Sequence, residues 1–378
     1  MQLPDDRTAH SQMSTHQNTH GKFLNPWPHT SPHGLRDVLK WARDRRRTRR
    51  PDPPASIFSR ATPAFPARAT TDEIVVTWIG HSSFLLQIGS VNILLDPIWS
   101  KRASPVSFAG PKRTTAPGIS FDSLPPIDLV LLSHDHYDHL DVTTIRRIIA
   151  RHPHAQFIAP LGVGAWLRAR GATVEAELDW WQNVHSHDLD ITCTPAQHFS
   201  GRRPNNRDST LWCGWTIRAG DRAVFFAGDT GRHPEFGEIT RRLGPFDAAF
   251  LPIGAYDPRW FMQPVHMAPD EAVSAYVDIV AENSGRACRF IAMHWGTFKL
   301  TDEPMDEPPA LTRVEWEKAR LDPEMLWVMA HGETRSLHSD SSSSPQAGMT
   351  RGAAGMTIFP TPCREPPTPG SRSGAGCG

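Results

Sequence analysis

Ser133-His134-Asp135-His136-Tyr137-Asp138-His139 follows without a break on Ile127-Asp128-Leu129-Val130-Leu131-Leu132 and leads into a helical pattern that starts near Asp141. The apolar run reads as a buried strand, so the polar run sits on a loop at the carboxyl end of that strand, where α/β proteins place their sites. Alternate residues of an extended stretch point the same way, which lets His134 and His136 present two imidazoles to one ion. As the chain turns toward the helix, Asp138 and His139 can face a second ion beside the first. Imidazoles with a few carboxylates suit zinc, and also iron or manganese. The lack of nearby thiolates argues against a closed structural zinc site.

Working outward, Ile74–Ile79, Ser83–Ile88 and Val91–Leu95 are short β-rich runs, the last two joined at Gly89-Ser90 as a hairpin. Later β-type runs are Ile127–Leu132, Gln156–Ala159, Leu189–Thr194, Leu211–Arg218, Ala223–Ala227, Ala248–Ile253 and Arg289–Met293. Helical patterns fall among them at Val142–Arg151, Val163–Arg170, Asp270–Glu282 and Pro309–Leu321. Strands dominate early and then alternate with helices, which fits an α/β domain of two sheets with helices outside. The pattern alone leaves several α/β architectures open, and no fixed-period repeat is visible.

Residues 71–338 form the expected catalytic domain. Residues 1–70 are rich in Pro, His, Ser and Arg and read as a partly flexible extension. A short helix begins at Gly34–Trp41 and runs into the basic stretch Arg43–Arg50, which reads either as a solvated segment or as a contact for anionic lipid or RNA. Residues 339–378 turn to Ser, Gly, Pro and Thr and read as a disordered tail.

The 378 residues carry 40 basic and 40 acidic side chains, so no global field favours nucleic acid, and no nucleic-acid partner is expected. The longest apolar runs are far too short to cross a bilayer. The first residues, Met1-Gln2-Leu3-Pro4-Asp5-Asp6, place acids where a secretory signal starts basic. Five cysteines, odd in number and without a Cys-x-x-Cys pair, point to a reducing compartment. A cytoplasmic protein, in contact with membrane only peripherally, is the expectation.

The motif His134-x-His136-x-Asp138-His139 resembles the signature of the metallo-β-lactamase superfamily, whose fold is an αββα sandwich of two mixed β-sheets flanked by helices. Polar residues stand at the tips of later apolar runs in the order that family requires: His198, Asp229 and His294. The resemblance implies that His134, His136 and His198 hold one metal, that Asp138, His139 and His294 hold the other, and that Asp229 bridges them. The pair is expected to be divalent, with Zn²⁺ favoured. Asp96, after Asn92–Leu95, matches an early aspartate that supports the metal loop from behind, and it also reads simply as a turn residue before Pro97.

Residues from about 74 to 335 are more narrowly similar to the N-acyl-phosphatidylethanolamine-hydrolysing phospholipase D group and its bacterial relatives. Gly80-His81-Ser82, Asp96-Pro97-Ile98-Trp99-Ser100, Gly228-Asp229-Thr230-Gly231, Pro258-Arg259-Trp260-Phe261-Met262, His294-Trp295-Gly296-Thr297-Phe298 and His331-Gly332-Glu333-Thr334-Arg335 carry that similarity, with a fainter echo in Asn25-Pro26-Trp27-Pro28. It implies a homodimer that cleaves a phosphodiester in a phospholipid at a membrane surface, releasing phosphatidic acid and an N-acylethanolamine. Asp138 and Asp229 would then orient the nucleophile as well as bind metal. His266 would stabilise the phosphate or protonate the leaving alcohol. Pro264-Val265, just before it, departs from the animal enzymes' pattern. Trp260, Phe261 and Met262 read either as a lipid entry or as core. The competing expectations are another hydrolase on the same scaffold, a sugar-phosphate lactonase or broad phosphodiesterase, and a lipid-binding scaffold without turnover. His185 and His187 form a second close pair, expected on a loop with no metal role.

Overall fold

A computed structural model describes residues 21–27, 34–48, 50–203 and 205–338, all within one compact unit. The expected tail, 339–378, lies outside the described residues, as does all of the chain before Gly21.

The first sheet is built from β1 (Glu73–Gly80), β2 (Ser83–Ile88), β3 (Val91–Leu95), β4 (Leu129–Leu131), β5 (Gln156–Pro160) and β6 (Thr173–Leu178). The second takes β7 (Asn183–Ser186), β8 (Leu189–Thr194), β9 (Gly214–Ala219), β10 (Arg222–Phe226), β11 (Ala248–Pro252), β12 (Arg289–Met293) and β13 (Leu326–Trp327). The last strand, β14 (Thr334–His338), returns to the first sheet, which runs β14-β1-β2-β3-β4-β5-β6; the second runs β13-β12-β11-β10-β9-β8-β7. Each sheet opens with antiparallel strands and continues with parallel ones, β3 to β6 in one and β10 to β13 in the other. Parallel neighbours need crossovers, and helices supply most of them. The helices are α1 (Leu35–Thr48), α2 (Val142–Arg151), α3 (Gly164–Arg168), α4 (Phe236–Leu243), α5 (Arg259–Met262), α6 (Pro269–Ala281) and α7 (Glu307–Lys318). This is the expected two-sheet sandwich with helices outside.

Period-two alternation explains why the strands of the first sheet are apolar throughout. Val76, Trp78, Phe84, Leu86, Ile93, Leu95, Leu129 and Leu131 face the other sheet and meet Ile191, Phe226 and Phe250. The residues between them (Ile79, Leu85, Leu94 and Val130) face α2 and α3, against Ile145, Ile148, Val163 and Leu167. Both faces are covered, so the strands read as continuous apolar runs. The hairpin at Gly89-Ser90 takes φ of 57° and 67°, the left-handed pair that matches strand twist.

Four strands carried no clear signal in the sequence: β6, β7, β13 and β14. They are the four sheet edges, where half of each strand faces solvent or the pairing is only two residues long. His185 consequently lies in β7, paired to Asp190 at 2.9 Å, rather than on a loop, while His187 follows in the turn. The helix expected to begin near Gly34 runs through the arginine stretch to Thr48. It is tied down by Trp41 and Arg45, both bonded to Asp302, and by Trp41 stacked on Phe261. Trp260 stays partly exposed under Lys40, and Met262 is buried.

Phe250 is fully buried between the sheets, with its ring edge-on to Phe84 at 4.9 Å. Phe250→Ala should therefore cost about 3–5 kcal/mol of unfolding free energy, read by urea denaturation. A change within about 0.5 kcal/mol would be the size expected of a surface site and would contradict this packing.

Candidate metal centre

The residues of the candidate metal site follow strand ends on one rim. His81 follows β1 and Asp96 follows β3, while His134 to His139 follow β4. His198 lies beyond β8, Asp229 beyond β10 and His294 directly after β12. Asp141 ends the motif loop by capping α2, accepting from the backbone N–H groups of Thr143 and Thr144. Asp135 accepts from the Gly201 N–H at 2.8 Å, which ties the His198 loop to the motif loop.

Three rim residues hold left-handed backbone: His81 (φ 58°), Asp96 (φ 38°) and His294 (φ 63°). Such φ values are uncommon for residues with a β-carbon and are kept where surrounding bonds over-determine them. The His81 N–H donates to Thr297 Oγ1 at 2.7 Å, and its carbonyl accepts from the His294 N–H and the Trp78 indole. The Asp96 N–H donates to the Leu131 carbonyl, and Ser83 Oγ donates to the Asp96 carbonyl. Gly228 (φ 62°) has no substitute, since a β-carbon there would lie 2.6 Å from the Cys213 carbonyl oxygen.

The side chains converge on two groups. His134 Nε2 lies 2.9 Å from His136 Nδ1, and His198 Nε2 lies 3.2 Å from the same atom. Beside them, His81, Asp138, His139 and His294 each bring a ligand atom within 4.8 Å of the others. Between the groups stands Asp229 Oδ2, at 3.0 Å from His294 Nε2, 3.1 Å from His139 Nε2, 3.8 Å from His134 Nε2 and 3.9 Å from His198 Nε2.

Hydrogen bonds behind the rim decide which imidazole nitrogens carry lone pairs. Asp96 accepts from the Ser133 N–H (2.7 Å), from Ser133 Oγ (2.5 Å) and from His139 Nδ1 (2.7 Å). With its proton given to Asp96, Ser133 Oγ can only accept from His134 Nδ1, 2.9 Å away. His198 Nδ1 donates to the Val265 carbonyl at 2.8 Å. His134 and His198 therefore turn bare Nε2 atoms toward His136. One proton on His136 Nδ1 cannot satisfy both, whereas a cation is held by all three.

Charge follows the same division. Burial, then the neighbouring imidazoles, holds His134 and His198 well below the usual histidine range. Burial would also lower His139 and His294, but nearby carboxylates, Asp229 foremost, more than offset it; His139 is held well above its ordinary value and His294 rises to about 9. Burial alone would raise the Asp138 and Asp229 carboxyls, yet the surrounding imidazoles hold both well below the usual carboxylate range. His139 Nε2, His294 Nε2 and Asp229 Oδ1 are buried without a hydrogen-bond partner among the described residues. Orphaned atoms of this kind are costly unless a ligand completes them. The donor set is oxygen and nitrogen only, so these residues fit divalent metal.

His266 enters the rim from the loop between α5 and α6. Its ring is 5.0 Å from that of His198 and 5.2 Å from that of His294, and its Nδ1 is buried without a partner. Burial pushes its pKa down to about 3, so the ring is neutral at pH 7.

Two residues of the rim stand in segments that carry the family resemblance, Gly80-His81-Ser82 and Asn25-Pro26-Trp27-Pro28, but no role at the metal site was expected of them. His81 Nε2 lies 2.9 Å from Asp138 Oδ2 inside the second group. Its signal was available, a histidine at the tip of the apolar run Ile74–Ile79, as with His294. Asn25 is the other: Oδ1 accepts from the His198 N–H and the Trp212 indole, and Nδ2 donates to the His198 carbonyl at 2.9 Å. Nothing in the polar stretch around Asn25 announces a partner so distant in the chain.

Sheets and rim together define a metal-dependent hydrolase of the metallo-β-lactamase type. The family model for the beta-lactamase superfamily domain matches residues 91–295. The chain belongs to that superfamily, in the group that contains the N-acyl-phosphatidylethanolamine-hydrolysing phospholipases D. It is 40% identical to such an enzyme of Caenorhabditis elegans over 246 residues, 62% of this chain and 67% of the relative. An uncharacterised protein of Mycobacterium tuberculosis is 41% identical over 263 residues, 69% of this chain and 68% of the relative. A metallo hydrolase of Ignicoccus hospitalis, 23% identical, shares the fold with a TM-score of 0.53 over 71% of this chain and 99% of its own.

Asp96→Asn replaces an acceptor of three hydrogen bonds by a group that must also donate. Loss of about 10–100-fold in metal affinity is expected, measured by competition with a chromophoric chelator. Unchanged affinity would mean that Asp96 does not orient His134 and His139.

Proposed function

We propose that the chain is a binuclear phosphodiesterase that cleaves N-acyl-phosphatidylethanolamine in the manner of a phospholipase D, yielding an N-acylethanolamine and phosphatidic acid. The observation that supports a two-ion centre is the placing of two imidazole groups on either side of one Asp229 oxygen. The lipid is the substrate named for the Caenorhabditis elegans relative.

In this reading His134, His136 and His198 hold one ion, Asp138, His139 and His294 the other, and Asp229 both; His81 orients Asp138. Divalent ions there, Zn²⁺ by donor chemistry, supply acidified water and neutralise charge on phosphoryl oxygens. The residues do the rest. Asp138 and Asp229 stay ionised, so their free lone pairs accept from the attacking water and aim it at phosphorus. His266, neutral at pH 7, offers one N–H to a phosphoryl oxygen. The proton lost by the attacking water as it adds to phosphorus would pass to His266, whose proton affinity the anionic phosphodiester raises, and from there to the leaving alkoxide. The buried rim limits water access and strengthens these interactions. Among the described residues no helix is long and apolar enough to cross a membrane, so lipid would be met peripherally; exposed Leu39 and Trp260, beside Lys40, support that contact.

Parallel assays on N-acyl-phosphatidylethanolamine, a water-soluble phosphodiester and a phosphorylated sugar lactone test the substrate. The lipid should show the highest kcat/KM, and preferential lactone opening would favour the sugar-phosphate lactonase instead. His134→Ala/His136→Ala should lose metal and turnover together. His266→Gln should keep its metal and lose about 10²–10⁴-fold in kcat, whereas full activity would remove His266 from the mechanism.

A further inference from the structure

On the outer side of the motif loop lies a cavity of about 510 Å³, lined by Arg170, Arg202, Arg203, Tyr137, Trp166 and Asn206 among others, with no carboxylate among its described lining residues. Two of its arginines, Arg202 and Arg170, are held by aromatic rings and carbonyls rather than by acids, and the third, Arg203, is exposed. The Arg202 guanidinium lies 4.1 Å from the Tyr137 ring centre and donates to the carbonyls of Asp135 (2.6 Å) and Leu140 (2.8 Å). Arg170 stacks on Trp166 at 3.6 Å and donates to its carbonyl, and its buried Nε has no partner. Arg203 and the nearby Arg146 make no ion pair among the described residues. Asp135 and Asp141 lie close enough to act on Arg202, but both spend oxygens on backbone N–H groups. Four guanidinia against two acids leave an excess of positive charge. Burial, and then Arg146 and Arg203, lower the Arg170 pKa, as expected of cations crowded without a counter-charge.

A guanidinium held flat against a ring keeps its N–H fork in place, and such forks match phosphate oxygens two at a time. We propose that this cavity is an anion site for a phosphate monoester, separate from the rim, with Arg170 and Arg203 as its main donors and Arg202 linking it to the motif loop. A dianion matches the excess charge, and a diester carries half of it. The chemistry is shared by free phosphate and by a lipid bearing a phosphomonoester head group. The site stands whether or not the lipid reading of the rim holds.

Titration calorimetry of the full chain with inorganic phosphate at low ionic strength tests it. Arg170→Gln/Arg203→Gln should weaken phosphate binding by at least about tenfold, roughly 1.4 kcal/mol. Arg168→Gln, at the last residue of α3 and two residues before Arg170 but paired with Glu177, controls for net charge and should leave binding unchanged. His134→Ala/His136→Ala should keep this binding while losing any phosphate bound at the rim. Equal affinity in the wild type and in Arg170→Gln/Arg203→Gln, or an equal loss with Arg168→Gln, would overturn the proposal. So would a short-chain phosphatidylcholine, a diester, binding as tightly as phosphate. A soluble short-chain phosphatidic acid that binds more tightly than phosphate identifies a lipid head group as the ligand, and equal binding identifies free phosphate; either supports the site.

Discussion

The buried Asp96 carboxylate is the interaction on which the rest depends. It takes a backbone N–H, a hydroxyl and an imidazole N–H from the β4 tip and the loop after it. Through Ser133 it sets the tautomer of His134, and directly it sets that of His139. A carboxylate can only accept, so each imidazole it governs keeps its proton on Nδ1 and turns Nε2 to the rim. Its own left-handed backbone is held by the strand beside it, through the Leu131 carbonyl. Sheet hydrogen bonding thus becomes imidazole orientation, and imidazole orientation becomes a cation site.

The two sheets divide the labour. The first supplies His81, Asp96 and the motif loop, and the second supplies His198, Asp229 and His294. Each of the two groups beside Asp229 draws side chains from both sheets, so packing of the two inner faces through Phe84, Phe226 and Phe250 positions the site. Residues before β1 join in as well. Asn25 grips both sides of the His198 peptide, and Trp27 stacks on His233. A segment that reads as an extension is, at residues 21–27, part of the wall of the site.

Much of this was legible because burial leaves a pattern. The ten inner strands are apolar runs, and six of the seven expected metal-site residues follow such runs closely or stand at their tips. The four edge strands were not legible, because one side of each faces water and the alternation fades. His81 carried the same signal as His294, a histidine at the tip of an apolar run, but it lies more than fifty residues before the loop motif whose Asp138 it meets only in the fold. Asn25 stood in the fainter echo of the resemblance, but its role was not legible, since it consists of hydrogen bonds to a peptide 173 residues away. The arginine cavity was equally hidden: Arg170, Arg202 and Arg203 look like ordinary surface charge until the fold sets the first two over Trp166 and Tyr137 and brings the third beside them.

Under the proposed function, seven side chains from both sheets close around a pair of cations. Anomalous diffraction from crystals of the purified protein, recorded on both sides of the zinc absorption edge, tests it most directly. The account predicts two peaks flanking Asp229, one among His134, His136 and His198 and the other among Asp138, His139 and His294. A map with no peak at the rim at any first-row metal edge, from protein that is catalytically active, would contradict it.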